Sequence, residues 1–251
     1  MNNKLIIALD VETADEARKL FSLLGPQAGM FKIGSQLFTA AGPEFVREIV
    51  AEGGRVFLDL KFHDIPNTVA AACREVVRLG VSLFNVHAAG GGEMMRRAAE
   101  ATAEIAVRES LPPPKLIAVT VLTSANAAVL RETGITGELE AQVKMLSELA
   151  AASGLDGVVA SPHEIAAVRS VVKREGFLIV TPGVRPATSA HDDQKRVMTP
   201  GEAVRAGADY LVVGRAILNA PDPQSAARDV VAEMERADGE LSSSKLEEKS
   251  I

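Results

Sequence analysis

The chain has 251 residues, a formal net charge of -6 at pH 7 and 47% hydrophobic residues. This length suits one domain with a large core, and the acidic balance argues against non-specific binding to nucleic acid. The single cysteine, Cys73, excludes an internal disulfide and is expected to be a buried small hydrophobe. No apolar run is long enough for a membrane span, and the first one, residues 5–9, is too short for a signal peptide. The sequence therefore predicts a soluble cytoplasmic protein.

Short apolar runs alternate with longer amphipathic runs along the chain. The first predicted strand, residues 5–9, ends at Asp10, and a helix over 13–24 follows. The other predicted strands are residues 30–34, 55–58, 82–86, 115–120, 157–160, 177–180 and 209–213. The other predicted helices are residues 43–52, 69–79, 94–108, 138–153, 161–174 and 223–236. Ser161 opens the sequence SPHE, which is typical of a capping box, so it is expected to cap a helix rather than to act as a nucleophile.

Eight strands, each followed by a helix or by a loop and a helix, without a break in composition predict an α/β fold, a single (β/α)8 TIM barrel over residues 1–237. A doubly wound open sheet is the alternative, but eight regular units at this length favour closure. The segment 238–251 is rich in Ser, Glu and Lys and has little apolar surface to bury. It is therefore predicted to be a disordered tail.

The segment DLKFHDIPNT, residues 59–68, directly follows the third predicted strand. Because side chains alternate along a strand, Asp59 and Lys61 are expected to point the same way where the strand ends. Asp64 follows on a turn, and Pro66 restricts how the chain can begin the next helix. Charged groups are costly to place at the edge of a core. The cluster is therefore either a structural ion pair or a site where proton transfer is managed.

Polar side chains recur at or just after the carboxyl ends of the predicted strands, which form the active-site mouth of a barrel. They are Asp10, Lys32, Asp59, Lys61, His87, Thr123, Arg185 and Arg215. Structural alternatives remain open: Asp10 could cap a helix, Lys32 could extend its ammonium to solvent, and Asp64 could be a turn residue. His63 and His87 are of a type that is more often structural than catalytic.

The last third of the sequence contains a candidate phosphate site. Residues 181–186, TPGVRP, leave the seventh predicted strand, and a long polar loop continues through Gln194. The eighth strand is followed by Gly214, which lets the backbone approach a ligand, and Arg215 adds a fork of hydrogen-bond donors. Barrels often bind phosphate with the loops after strands seven and eight, although a long loop could also be a tolerated insertion.

Taken together, these motifs closely resemble the orotidine 5'-phosphate decarboxylase family, from residue 5 to about residue 220. The most specific motif is DLKFHDIPNT. It is supported by ALD at 8–10, FKIG at 31–34, VTVLTS at 119–124, TPGVRP at 181–186, DDQKRVMTP at 192–200 and VVGRAI at 212–217. The resemblance implies conversion of orotidine 5'-monophosphate to uridine 5'-monophosphate in pyrimidine biosynthesis, with no cofactor and no metal.

The resemblance also implies a role for each charged residue of the mouth. Lys61 would donate the proton to C6 of the pyrimidine, and Asp59 would lie against the departing carboxylate. Lys32 would complete the charged array and contact the ribose, whose hydroxyls Asp10 would bind.

Further substrate contacts are implied in the same way. Thr123 or Ser124 would bind the pyrimidine edge. The residues implied for the phosphate and the loop that closes over it are Pro182, Arg185, Gln194, Gly214 and Arg215. The family is a homodimer, and the resemblance implies that Asp64 and Thr68 reach into the active site of the neighbouring subunit.

Two other functions fit parts of the pattern. A Mg²⁺-dependent sugar-phosphate decarboxylase or aldolase of the same barrel superfamily could use the D-x-K-x-x-D motif, with its carboxylates on the metal. A non-catalytic sensor of a phosphate ligand would keep Gly214 and Arg215 but would not need Asp59 beside Lys61. The I-P-N-T continuation and the DDQ loop favour the nucleotide enzyme.

Overall fold

The computed structural model describes residues 4–185 and 198–248, with side chains as far as residue 241. Its strands are β1 (Leu5–Ala8), β2 (Met30–Gly34), β3 (Val56–Phe62), β4 (Leu83–His87), β5 (Lys115–Val119), β6 (Gly157–Val159), β7 (Leu178–Pro182) and β8 (Tyr210–Val213). All eight are parallel and pair in sequence order, and β1 also pairs with β8, which closes the barrel. The predicted TIM barrel is therefore confirmed, and the open doubly wound sheet is excluded.

Helices surround the barrel. They are α1 (Ala14–Leu24), α2 (Ser35–Ala51), α3 (Pro66–Arg78), α4 (Gly91–Arg108), α5 (Ala127–Glu132), α6 (Leu139–Ala152), α7 (Ile165–Val171), α8 (Pro200–Ala206), α9 (Arg215–Leu218) and α10 (Pro223–Glu248). Gly42, with a φ of 72°, breaks α2 just before Pro43. Ser161 and Glu164 form the predicted capping box, here on a 3-10 turn before α7. Over residues 4–185 and 198–248, no helix combines the length and apolarity that crossing a bilayer requires.

The core has two layers that explain where the polar residues lie. Outward-facing side chains of the strands pack against the helices, and Leu58, Phe84 and Ile179 are among them. The barrel interior is filled by Ile6, Ala8, Met30, Phe57, Leu83, Ile117, Val180 and Val212. Because these apolar side chains fill the interior, inward-facing polar side chains are placed at the carboxyl end of the barrel.

The third strand does not end where the sequence predicts. The expected end is residue 58, but β3 continues to Phe62. Its pairing with β4 is irregular, since Leu58 lies opposite Phe84 and Phe62 lies opposite Val86. Three residues of β3 therefore face one residue of β4, which is a bulge. The beginning of the DLKFHDIPNT motif lies on this bulge and not after the strand.

The predicted end of the last helix is also wrong. The sequence pattern ends that helix at residue 236, whereas α10 continues to Glu248. Lys4 pairs with Asp238 at 2.7 Å, and Arg205 pairs with Glu240 at 3.0 Å. These partners come from distant parts of the sequence, which is why local composition did not indicate them. Residues 249–251 lie outside the described part of the chain.

Candidate active site

The charged residues of the mouth follow from the side-chain alternation of the barrel strands. Met30 and Phe57 face the barrel interior. Lys32 and Asp59 lie two residues further along the same strands and therefore face the same way, one layer closer to the carboxyl end. The mouth is thus a charged layer directly above an apolar one.

Four charged side chains form a continuous array of alternating sign. Lys32 Nζ lies 2.9 Å from Asp10 Oδ1 and 3.5 Å from Asp59 Oδ2. Lys61 Nζ lies 2.7 Å from Asp59 Oδ1. The structure therefore brings together Asp10, Lys32, Asp59 and Lys61 in the order in which the sequence presents them.

Burial of the array differs from one side chain to the next. The side chains of Lys32 and Asp59 are 11% and 13% exposed, and that of Lys61 is 35% exposed. Burial alone would raise the pKa of Asp59, but the charge of Lys32 and the hydrogen bond from Lys61 outweigh it, so the pKa lies below its ordinary value. Asp59 is therefore a carboxylate at neutral pH, held between two ammonium groups.

Asn85 is a member of the site that the sequence analysis did not identify. It is fully buried on β4. Its Nδ2 donates a hydrogen bond of 2.7 Å to Asp59 Oδ1, and its Oδ1 accepts one of 2.8 Å from the backbone N–H of Lys61. Its signal in the sequence is a polar residue within an apolar strand, two positions after the inward-facing Leu83.

Lys61 has an unusual backbone conformation. Its φ is 54°, in the left-handed region that residues with a side chain rarely occupy. Such a conformation costs on the order of 1–2 kcal/mol and is found where the surrounding structure holds it in place. Here the bulge of β3 and the hydrogen bond to Asn85 hold it, and together they aim the ammonium at Asp59.

Asp64 and Thr68 do not join the array within one chain. Asp64 is exposed, and its Oδ1 accepts a hydrogen bond of 2.6 Å from the N–H of Ile65. It forms no salt bridge with any residue of the described ranges. Thr68 is exposed in the first turn of α3, and Ile65 between them is 66% exposed. These residues form a surface beside the mouth rather than part of its wall.

The end of β8 lies directly against the array. A Cβ on Gly214 would be 3.6 Å from Asp10 Oδ2 and 3.4 Å from the Cβ of Ala8, so the main chain approaches the carboxylate closely. Arg215 follows at the start of α9 and is exposed. The predicted phosphate residues of this strand therefore stand next to the predicted ribose residue.

The predicted loop residues after β5 and β7 are placed at the same end of the barrel. Thr123 and Ser124 are exposed between β5 and α5. Pro182 ends β7, and the N–H of Arg185 donates to the carbonyl of Met198 at 3.3 Å. Gln194 lies outside the described residues.

Two histidines border the mouth. The rings of His63 and His87 are 5.6 Å apart. Burial, the charge of His63 and the charge of Lys61 together lower the pKa of His87, so its imidazole is neutral at pH 7. Across the described ranges, the side chains form no cluster of three or more His, Cys, Asp or Glu residues arranged to hold a metal ion.

Comparisons with known proteins give one consistent family. Residues 3–230 match the family model described as "Orotidine 5'-phosphate decarboxylase / HUMPS family". A curated protein from Moorella thermoacetica, named orotidine 5'-phosphate decarboxylase, is 58% identical over 234 residues, which is 93% of this chain and 92% of that protein. A protein of the same name from Geotalea daltonii is 53% identical over 92% of this chain and 95% of its own length. The crystal structure of orotidine 5'-phosphate decarboxylase from Lactobacillus acidophilus gives a TM-score of 0.82 at 35% identity, over 92% of this chain and 99% of that one.

Proposed function

Because this chain belongs to the orotidine 5'-phosphate decarboxylase / HUMPS family, we propose that it converts orotidine 5'-monophosphate to uridine 5'-monophosphate in pyrimidine biosynthesis. The observation that carries the proposal is the array at the mouth, in which Asp59 is bonded to Lys61 at 2.7 Å and lies 3.5 Å from Lys32. No cofactor takes part in the proposed reaction.

The chemistry requires a cation at the carbon that loses carbon dioxide. Breaking the bond between C6 and the carboxylate leaves an electron pair on an sp² carbon, and the ring offers no electron sink for it. The ammonium of Lys61 stabilises this charge and then transfers a proton to C6, which completes uridine 5'-monophosphate. Asp59 holds the ammonium in place through its hydrogen bond until that step. The neutral amine is afterwards reprotonated from solvent.

Asp59 also acts on the substrate carboxylate, but its repulsion is too small to account for catalysis. Two negative charges about 4 Å apart repel by roughly 4 kcal/mol at an effective dielectric constant near 20. Slow reactions require on the order of 20 kcal/mol of barrier reduction. The remainder must come from stabilisation of the carbanion by Lys61 and from remote binding energy, which closes the site and excludes water.

The phosphate supplies that remote binding energy. In the proposed complex, Gly214 and Arg215 bind the phosphate beside Asp10, together with Pro182 at the end of β7 and with Arg185 and Gln194, which follow it in the sequence. In the same complex, the ribose hydroxyls bind to Asp10 and Lys32. The pyrimidine edge binds to Thr123 or Ser124. The proximity of Gly214 to Asp10 Oδ2 supports a single substrate spanning both groups.

We further propose a cytoplasmic homodimer with shared active sites. Asp64 and Thr68 are exposed beside the mouth and make no contact with the array of their own chain in the described ranges. The exposed side chain of Ile65 lies between them. An exposed apolar residue flanked by two polar groups is suited to an interface with a second copy of the chain.

The basic test is decarboxylation by the purified, metal-stripped protein. Incubation with orotidine 5'-monophosphate should produce the ultraviolet change of conversion to uridine 5'-monophosphate at an undiminished rate. Activity that disappears in a chelator and returns with Mg²⁺ would favour the sugar-phosphate enzyme of the same superfamily. Binding of uridine 5'-monophosphate without any turnover would favour the phosphate-ligand sensor.

Subunit sharing is tested by mixing two inactive variants, Asp64→Asn and Lys61→Ala. Each mixed dimer contains one site with both native groups, so random exchange of equal amounts should restore about a quarter of the wild-type activity. The matched control mixes Asp59→Asn with Lys61→Ala, whose native groups cannot meet in one site. Equal activity in the two mixtures would contradict sharing.

A further inference from the structure

Asn85 occupies the one position of β4 that faces the bulge of β3. Regular pairing stops after Leu58 and Phe84 and resumes at Phe62 and Val86. Between these pairs, β3 has three residues and β4 has only Asn85. A bulge removes ladder hydrogen bonds, and unpaired buried backbone groups are costly. The Asn85 side chain replaces one of them, because its Oδ1 accepts the N–H of Lys61 at 2.8 Å.

The same amide fixes the catalytic carboxylate. Asn85 Nδ2 and Lys61 Nζ each lie 2.7 Å from Asp59 Oδ1. The second oxygen, Oδ2, is left to Lys32 at 3.5 Å. The hydrogen bonds from the Asn85 amide and the Lys61 ammonium together fix the orientation of the Asp59 carboxylate. Asn85 itself is fully buried, so water does not compete for these bonds.

We propose that Asn85 is a positioning residue, which locks the left-handed backbone of Lys61 and the orientation of Asp59 with a single amide. This inference rests on the proposed decarboxylase function for its kinetic consequence, but not for its structural one. A neutral amide serves both partners at once, since its oxygen accepts from a backbone N–H and its NH₂ group donates to a carboxylate at any pH. Asn85 thereby holds the proposed proton donor, Lys61, and its counter-ion, Asp59, in fixed positions relative to each other.

Two variants separate the roles of the oxygen and the nitrogen of the Asn85 side-chain amide. Asn85→Leu keeps the branched shape and the number of heavy atoms but removes both hydrogen bonds, and we expect kcat to fall by on the order of 100-fold. The dissociation constant for uridine 5'-monophosphate should change by less than about threefold, because the groups proposed to hold the phosphate and ribose are untouched. The matched control is Ser147→Ala, which removes a buried hydrogen bond to the carbonyl of Val143 on α6 and should leave kcat unchanged.

Asn85→Asp keeps the acceptor and replaces the donor with a carboxyl. This carboxyl faces Asp59 and Lys61 on β3, with Lys32 beyond them and His87 further along its own strand. Two carboxylates at hydrogen-bond distance share a proton, so one of them has a raised pKa. The activity of this variant should therefore rise as the pH is lowered from about 8 to 5, because the protonated carboxyl can donate as the amide does. The wild type should show no such rise.

A crystal structure of Asn85→Leu makes the outcome independent of turnover. We expect the φ of Lys61 to leave the left-handed region and its Nζ to separate from Asp59 Oδ1. Retention of a φ near 54° and a distance near 2.7 Å would overturn the inference, whatever the activity. An active wild type with an equally active Asn85→Leu would also overturn it and leave the proposed function intact. A wild type without turnover would refute the proposed function, while the crystal structure would still decide the role of Asn85.

Discussion

Replacement of Lys61 by alanine is the most direct test of the proposed chemistry. The variant loses the ammonium that lies 2.7 Å from Asp59 Oδ1, and with it the proposed proton donor. Asp59 keeps its hydrogen bond from Asn85 at 2.7 Å and its contact with Lys32 at 3.5 Å. The rest of the array therefore stays in place, and the change in activity can be attributed to the missing amine.

The expected loss follows from the two roles of the amine. A positioned general acid contributes roughly 10²–10⁴-fold, and a fixed charge at a developing anion contributes roughly 10²–10³-fold. If both are lost, kcat should fall by about 10⁴–10⁷-fold, which corresponds to about 5–10 kcal/mol of transition-state stabilisation. The stability loss should be about 1 kcal/mol or less, because an ion pair whose lysine is one-third exposed is partly screened.

The assay is single-turnover decarboxylation followed by ultraviolet absorbance, with titration of uridine 5'-monophosphate to show that the site is still formed. Lys115→Ala is the matched control, since Lys115 also forms a lysine-aspartate pair, with Asp156 at 2.8 Å, at the amino end of β5. It should keep full activity. A loss in Lys61→Ala of less than about tenfold would refute the proton-donor role, because general-acid catalysis alone exceeds that value.

Three further predictions concern the backbone, the phosphate and the pH dependence of stability. Lys61→Gly should be as inactive as Lys61→Ala. It should be about 1 kcal/mol more stable in urea unfolding, because glycine adopts a φ of 54° without strain. Equal stability of the two variants would mean that the backbone relaxes in both. Arg215→Ala should lower kcat/KM for the nucleotide by about 100-fold and leave the reaction of phosphate-free orotidine unchanged; an equal loss with both substrates would place Arg215 elsewhere. The pKa of Asp59 is lowered on folding, so its contribution to stability is present above its ordinary value of 3.8 and is lost as the pH falls through the lower folded value. Asp59→Asn should therefore lose less unfolding free energy than the wild type below pH 3.8, and parallel curves would contradict the pKa shift.

The sequence was sufficient for the barrel and for placing polar side chains at its mouth because both depend on simple periodicity, whereas the charged array was implied by the family resemblance. Apolar runs alternate with amphipathic ones, and acids and lysines recur where parallel strands end. Asp10, Lys32, Asp59 and Lys61 meet because the carboxyl ends of β1, β2 and β3 lie at one end of a closed barrel.

The features that the sequence did not reveal depend on pairing between distant segments. The bulge of β3 is defined only by its register against β4, and no local pattern marks it. Asn85 looks like an isolated polar residue in an apolar strand until Asp59 is placed opposite it. The extension of α10 forms ion pairs with Lys4 and Arg205, which lie far from it in the sequence.

The array also explains how a site of balanced charge can favour a transition state over a substrate. Within one chain, the two ammonium groups and two carboxylates of the array sum to zero charge, and in the proposed complex the substrate carboxylate lies beside Asp59. In the proposed reaction, the negative charge moves from the carboxylate to C6 as carbon dioxide leaves, away from Asp59 and towards Lys61. The net charge of the site is unchanged, but repulsion from Asp59 is replaced by attraction to Lys61. This change stabilises the transition state and the carbanion but not the bound substrate. This displacement requires Asp59 and Lys61 to stay fixed relative to each other, and a strained backbone held by a buried amide provides that rigidity.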